Sequence, residues 1–176
     1  MRSEERQMHT DVSGICGGNM EWHLCDGTLY IKGNGMLNLA LPGFAYWDGE
    51  IYIEDEEIYS LPVIHPWKEW RDSITKIVIA EGCTGIGPET FFSHRNLRKV
   101  IFPESLTKLG YRGLARCSKL ETLSLPGQVT QIPEEFLQGC ISLREVHCGG
   151  EINTVGKRAF EGCIRLKKEK IPCGCG

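Results

Sequence analysis

Apolar residues return along this chain at a step of 23. Leu97, Leu120, Leu143 and Leu166 mark the step, and Ile74 extends it backwards. The pairs Ile77 and Ile79, Val100 and Phe102, Leu123 and Leu125, and Val146 and Cys148 keep the same spacing. So do Ile86, Leu109, Ile132 and Val155, then Cys117, Cys140 and Cys163. Phe91, Leu114 and Phe160 hold one more slot, with Leu137 in register and Phe136 one residue early. The first part of each unit alternates apolar and polar residues, which predicts a short strand with one buried face. Pro103 and Pro126, or Gly149, break that strand. The last part, such as Lys157 to Cys163, has helical spacing with room for about one or two turns.

One such unit cannot cover its own apolar face, whereas stacked units can. The sequence therefore predicts an α/β solenoid of four and a half units, each a short strand plus a short helix. The full units are 74–96, 97–119, 120–142 and 143–165, and a fifth begins at Leu166. Before them, 13–73 reads as a β-rich cap, with Trp22, Leu24, Leu29 and Ile31 inward on two strands and Asp26-Gly27 as the turn between them. Trp22 and Trp67 are the expected plugs for the open end of the stack. Residues 1–12 read as a disordered tail, and 74–176 as the repeat domain.

The units resemble the BspA-type leucine-rich repeat, close to L-x-x-I-x-I-P-x-x-V-x-x-I-G-x-x-A-F-x-x-C-x-x. Ser13-Gly14-Ile15-Cys16-Gly17, Asp26-Gly27-Thr28-Leu29-Tyr30-Ile31 and Pro66-Trp67 resemble the cap and the cap–repeat junction of such proteins. The resemblance implies a bacterial or protist surface protein that attaches to a host matrix or cell-surface protein, as a non-catalytic, adhesion-like scaffold without a cofactor. The N-terminal MRSEERQMHT has no apolar core or cleavage site and does not read as a signal peptide.

Charge and composition narrow the partners. Lys plus Arg is 20 against 23 acidic residues, so neither nucleic acid nor an anionic membrane is called for. No apolar run approaches the roughly 20 residues that span a bilayer. The protein partner is what the resemblance implies. The residues between the inward positions of each strand should line the concave face: Lys76 and Val78, Lys99 and Ile101, Thr122 and Ser124, Glu145 and His147. That strip reads either as a binding face or as a solvated sheet face, and it holds no aromatic cluster. The insertion 37–65 is the second candidate. Its Tyr46, Trp47, Tyr52, Glu54 and Tyr59 either extend the core of the cap or present an acidic, aromatic contact surface. Ile51 to Ile53 read as a strand after an Asp48-Gly49 turn. A homodimer through the C-terminal end is the alternative, because Glu169 takes an inward slot there.

Nine cysteines need a place. Cys83, Cys117, Cys140, Cys148 and Cys163 fall in inward slots and read as buried free thiols. No paired CxxC or HxxxH ligands suggest zinc. Cys16 and Cys25 form a disulfide or stay apart, and the exposed thiol pair Cys173 and Cys175 is either an unstructured end or a site of redox chemistry, metal capture or an intermolecular bridge. Gly82 to Gly87 mimics a phosphate loop but lacks the following lysine and helix. Cys83 with His94 is the one conceivable nucleophile pair, and inward burial argues against it. No catalytic and no metal residues are assigned.

Overall fold

A computed structural model describes residues 11–16, 19–37, 46–47, 50–51 and 65–167. Four strands open the chain: β1 (Asp11–Ile15), β2 (Met20–Cys25), β3 (Thr28–Gly33) and β4 (Gly35–Leu37). A small hairpin follows, β5 (Tyr46–Trp47) and β6 (Glu50–Ile51), then a 3-10 turn at Lys68–Ser73. The repeats supply β7 (Lys76–Ile79), β8 (Cys83–Ile86), β9 (Lys99–Ile101), β10 (Thr122–Leu125), β11 (Gln131–Ile132), β12 (Glu145–Cys148) and β13 (Thr154–Val155). β1 starts inside the stretch expected to be a tail.

The first strand of each unit builds one row. Strands β1, β2 and β3 pair antiparallel, β3 pairs parallel with β7, and β7 with β9. β10 and β12 pair parallel further along. A second row is also parallel: β4 with β8, a bridge from Gly85 to Lys108, then β11 with β13. The cap thus gives β1 to β3 to the first row and β4 to the second. Its β3–β4 segment behaves as a coil before the first repeat, capping the stack by continuing it.

The third side of each unit corrects the expected short helix. Among the described residues there is no α-helix. Instead, alternate amides bond the next coil. Glu89, Phe91 and Ser93 donate to the carbonyls of Tyr111, Gly113 and Ala115 at 2.8–2.9 Å. Arg112, Leu114 and Arg116 donate onward to Glu134, Phe136 and Gln138, and Glu135, Leu137 and Gly139 to Lys157, Ala159 and Glu161. The intervening amides close local turns, as Phe92 does on Glu89. Glu89, Arg112, Glu135 and Arg158 take φ of 51–55°, and Ser93, Arg116, Gly139 and Gly162 take 61–74°. These left-handed residues interrupt any helix and turn its carbonyls towards the neighbouring coil.

The core runs inside these three sides. Ile74, Leu97, Leu120 and Leu143 have no exposed surface, which the step of 23 anticipates. Cys83, Cys117, Cys140 and Cys163 are buried with them, whereas Cys148, on the last strand of the first row among the described residues, is only partly covered. The core closes against the cap through Trp67, which stacks on Phe91, and through Trp22, edge-on to Trp67 at 6.1 Å. Packing between coils is tight at the corner after the second row. A Cβ on Gly110 would stand 2.2 Å from the Gly87 carbonyl carbon, so this corner admits only glycine at that position.

Candidate interaction surface

The pleat turns alternate residues of the long sheet outward, and strand register aligns them in rows. One row runs Ser13, His23, Tyr30, Val78, Ile101. The next runs Asp11, Cys25, Thr28, Lys76, Lys99. The repeat step continues them as Ser124 beside His147 and Thr122 beside Glu145. All eight strip residues expected on this face lie on it. Lys99, Ile101, Thr122, Ser124 and His147 are exposed, and Lys76, Val78 and Glu145 are half-buried. Of the insertion residues, Tyr46 and Trp47 form β5, with Tyr46 opposite Ile51. Tyr52, Glu54 and Tyr59 lie outside the described residues, as does the strand expected over 52–53.

The cap adds residues that sequence reasoning did not assign to this face. His23 stacks on Tyr30 with ring centroids 6.2 Å apart, so the face does carry an aromatic pair. Asp11 bonds the His23 ring, and Glu21 pairs with Lys32 at 3.1 Å. Ile15 is 75% exposed and Tyr30 44%. An open depression of about 690 Å³ lies over this part of the sheet, lined among others by Ile15, His23, Tyr30, Lys32 and Val78. The alternation in MEWHLC and TLYIKG already set His23 and Tyr30 outward. What it could not give is the β3–β7 pairing that carries them into line with the repeats.

The buried groups are held for structure. Cys117, Cys140 and Cys163 each donate a thiol hydrogen bond to the preceding coil, to the carbonyls of Phe91, Leu114 and Leu137 at 3.1–3.3 Å. Burial pushes Cys117 up to about 12 and Cys163 up to about 11, far from the thiolate that nucleophilic or metal chemistry needs. His94 fills the same slot one coil earlier and is fully buried. Burial, and then the nearby His65, lower its pKa to about 3. Cys83 and His94 are therefore core groups, a protonated thiol and a neutral imidazole. Cys16 lies by Met20 and Cys25 at the far end of β2, so strand length separates them and no disulfide joins them. Among the described residues, no group of three or more His, Cys, Asp or Glu side chains is arranged to hold a metal ion.

A family model described as the BspA type leucine-rich repeat region, in six copies, matches residues 69–175. The chain belongs to this family. Membership suggests a protein-interaction or scaffold role, and such repeats are typically non-catalytic. Two solved leucine-rich repeat proteins are similar. One, from Bacteroides ovatus, is 26% identical over 55% of this chain and 24% of its own, with a TM-score of 0.50. The other, from Eubacterium ventriosum, is 17% identical over 79% of this chain and 44% of its own, with a TM-score of 0.52, a likeness of fold. This BspA-type chain thus spans less than half the length of either. No curated protein matches it.

Proposed function

We propose that this BspA-type repeat protein is a non-catalytic scaffold that binds another protein through the outward face of its long sheet. The observation that carries this reading is the outward apolar line Tyr30–Val78–Ile101, which spans the cap and the first two coils and whose Tyr30 and Val78 line one depression with the exposed Ile15. Exposed apolar groups gathered in one patch mark interaction sites, whereas scattered ones do not. Adhesion to a host matrix or cell-surface protein is the narrower form, and it rests on the family resemblance. The insertion with Tyr46, Trp47, Tyr52, Glu54 and Tyr59 is a second contact region in this reading. Pairing of two copies through the C-terminal end turns on residues 168–176, which lie outside the described residues.

Capture from a host-cell extract tests the face. The bait is the chain itself, a Val78→Glu/Ile101→Glu variant, or a Glu161→Lys variant on the turn side. The expected result is a protein held by the first and third but not the second, which rebinds when purified. Equal retention by all three overturns the reading.

A further inference from the structure

The outward face carries a pair of like charges that no acidic residue among the described residues offsets. Lys76 and Lys99 stand directly opposite each other on paired parallel strands, about 4.8 Å apart at the backbone. Like charges in that position destabilise a sheet. Neither ammonium has an acidic partner among the described residues, although Lys32 on the same face is paired with Glu21. Two residues along each strand, on the same face, lies the apolar line of Val78 and Ile101 with Tyr30 beside them. Two ammonium groups without an acidic partner among the described residues thus flank Tyr30 and Val78, which line the depression.

We propose that this corner is a seat for a short acidic–apolar peptide segment of a partner protein. One or two of its carboxylates sit on Lys76 and Lys99, and a neighbouring aromatic or aliphatic side chain lies against Tyr30, Val78 and Ile101. The inference rests on the reading of this face as a protein-binding surface and names the chemistry it selects. The stretch of positive charge is short: along the lysines' row Asp11, bonded to His23, lies three strands before Lys76, and Glu145, beside His147, two repeat steps after Lys99. A long polyanion such as nucleic acid reaches a carboxylate at either end of this row, whereas a short acidic cluster reaches neither. Burying the partner's apolar side chain supplies affinity, and the lysines supply selection and register.

The test uses a fluorescein-labelled peptide with two glutamates followed by phenylalanine and leucine, flanked by glycine and serine. Its controls replace the glutamates by lysines, or the two apolar residues by serines, and a short oligothymidylate stands for nucleic acid. Anisotropy gives the affinity, and amide shift changes give the place. The acidic–apolar peptide should bind with shifts centred on Tyr30, Val78 and Ile101. Each control peptide, and the Lys76→Glu/Lys99→Glu variant, should weaken binding by about fivefold or more, the effect of roughly 1 kcal/mol. Raising the salt should weaken it further. No binding, equal binding of the lysine peptide, tighter binding of the oligothymidylate, or shifts on the turn side would each overturn the seat. If the seat fails while Val78→Glu/Ile101→Glu still abolishes capture from extract, the face binds a partner of other chemistry and the scaffold reading stands. If capture is also unchanged, both fall.

Discussion

The indole Nε1 of Trp67 donates to Nε2 of His94 at 3.1 Å, inside the junction between the cap and the first repeat. Because Nε2 accepts, the ring proton sits on Nδ1, which faces the Phe92 carbonyl at 3.3 Å. The later coils have cysteine in this slot and bond a backbone carbonyl of the coil before. The cap offers an indole N–H there instead of a carbonyl, so an acceptor replaces the thiol donor. Trp67→Phe should therefore leave His94 Nε2 unpaired in the core and cost roughly 2–4 kcal/mol in urea unfolding. His94→Cys strands the indole N–H and should cost about 1–2 kcal/mol. Combining the two should cost less than their sum; strict additivity would mean the pair is not coupled.

The same junction sets a pH response. His65 lies beside His94, with ring centroids 6.1 Å apart, and its buried Nδ1 has no partner among the described residues. Burial, then the Arg71 charge, lower its pKa to about 4, and that of His94 is about 3, against an ordinary 6.5. Both folded values lie below the unfolded one, so the unfolded chain takes up protons first. Stability is full above pH 6.5 and falls between 6.5 and about 4, by up to about 1.4 kcal/mol per pH unit for each histidine. Urea midpoints across that range should show the fall, and His65→Leu should make it shallower. A flat profile in the parent chain would contradict the burial of these rings.

Packing between coils can be separated from the sheet surface. Leu120→Ala opens a void between neighbouring coils and should cost roughly 2–5 kcal/mol, while the outward Ser124→Ala should stay within about 0.5 kcal/mol. Gly110→Ala should be as severe as Leu120→Ala, because the added carbon meets the backbone of the preceding coil rather than a side chain that can move. Thermal or urea unfolding of the three variants ranks them, and equal losses at Leu120 and Ser124 would refute the assigned faces.

Thiol labelling offers a further check. Cys16, Cys83, Cys117, Cys140 and Cys163 are buried, and Cys25 and Cys148 are partly open. With the native chain, Cys25 and Cys148 should react with a neutral maleimide well before the buried five. Mass mapping of the labelled peptides gives the order. Early labelling of Cys117 or Cys140 would mean that the stack opens locally.

Much of this architecture is legible in the chain, because each slot of a repeat packs on the same slot of its neighbour. Leu97, Leu120 and Leu143 declare their stacking through spacing alone. The third side is different. Ala159-Phe160-Glu161-Gly162-Cys163 has the spacing of a helical turn, and nothing in a glutamate or arginine announces a left-handed φ, so the turn ladder was not visible. Nor was the reach of the outward face into the cap. Thr28 pairs with Lys76, 48 residues on, and that offset falls outside the repeat step. With Trp22, Leu24, Leu29 and Ile31 inward, alternation leaves His23 and Tyr30 outward, but it does not align them with Val78.

The slot of Glu89, Arg112, Glu135 and Arg158 alternates in sign from coil to coil. Arg112 reaches Glu89 at 3.2 Å and lies 3.0 Å from Glu135, off the axis of a hydrogen bond, and Arg158 reaches Glu135 at 3.2 Å. Lengthening this chain by a single coil would set equal charges side by side in a half-covered position, whereas adding two would preserve the alternation. The module that can be duplicated without penalty is thus a pair: a chain with 97–142 copied once should melt higher than one with only 97–119 copied.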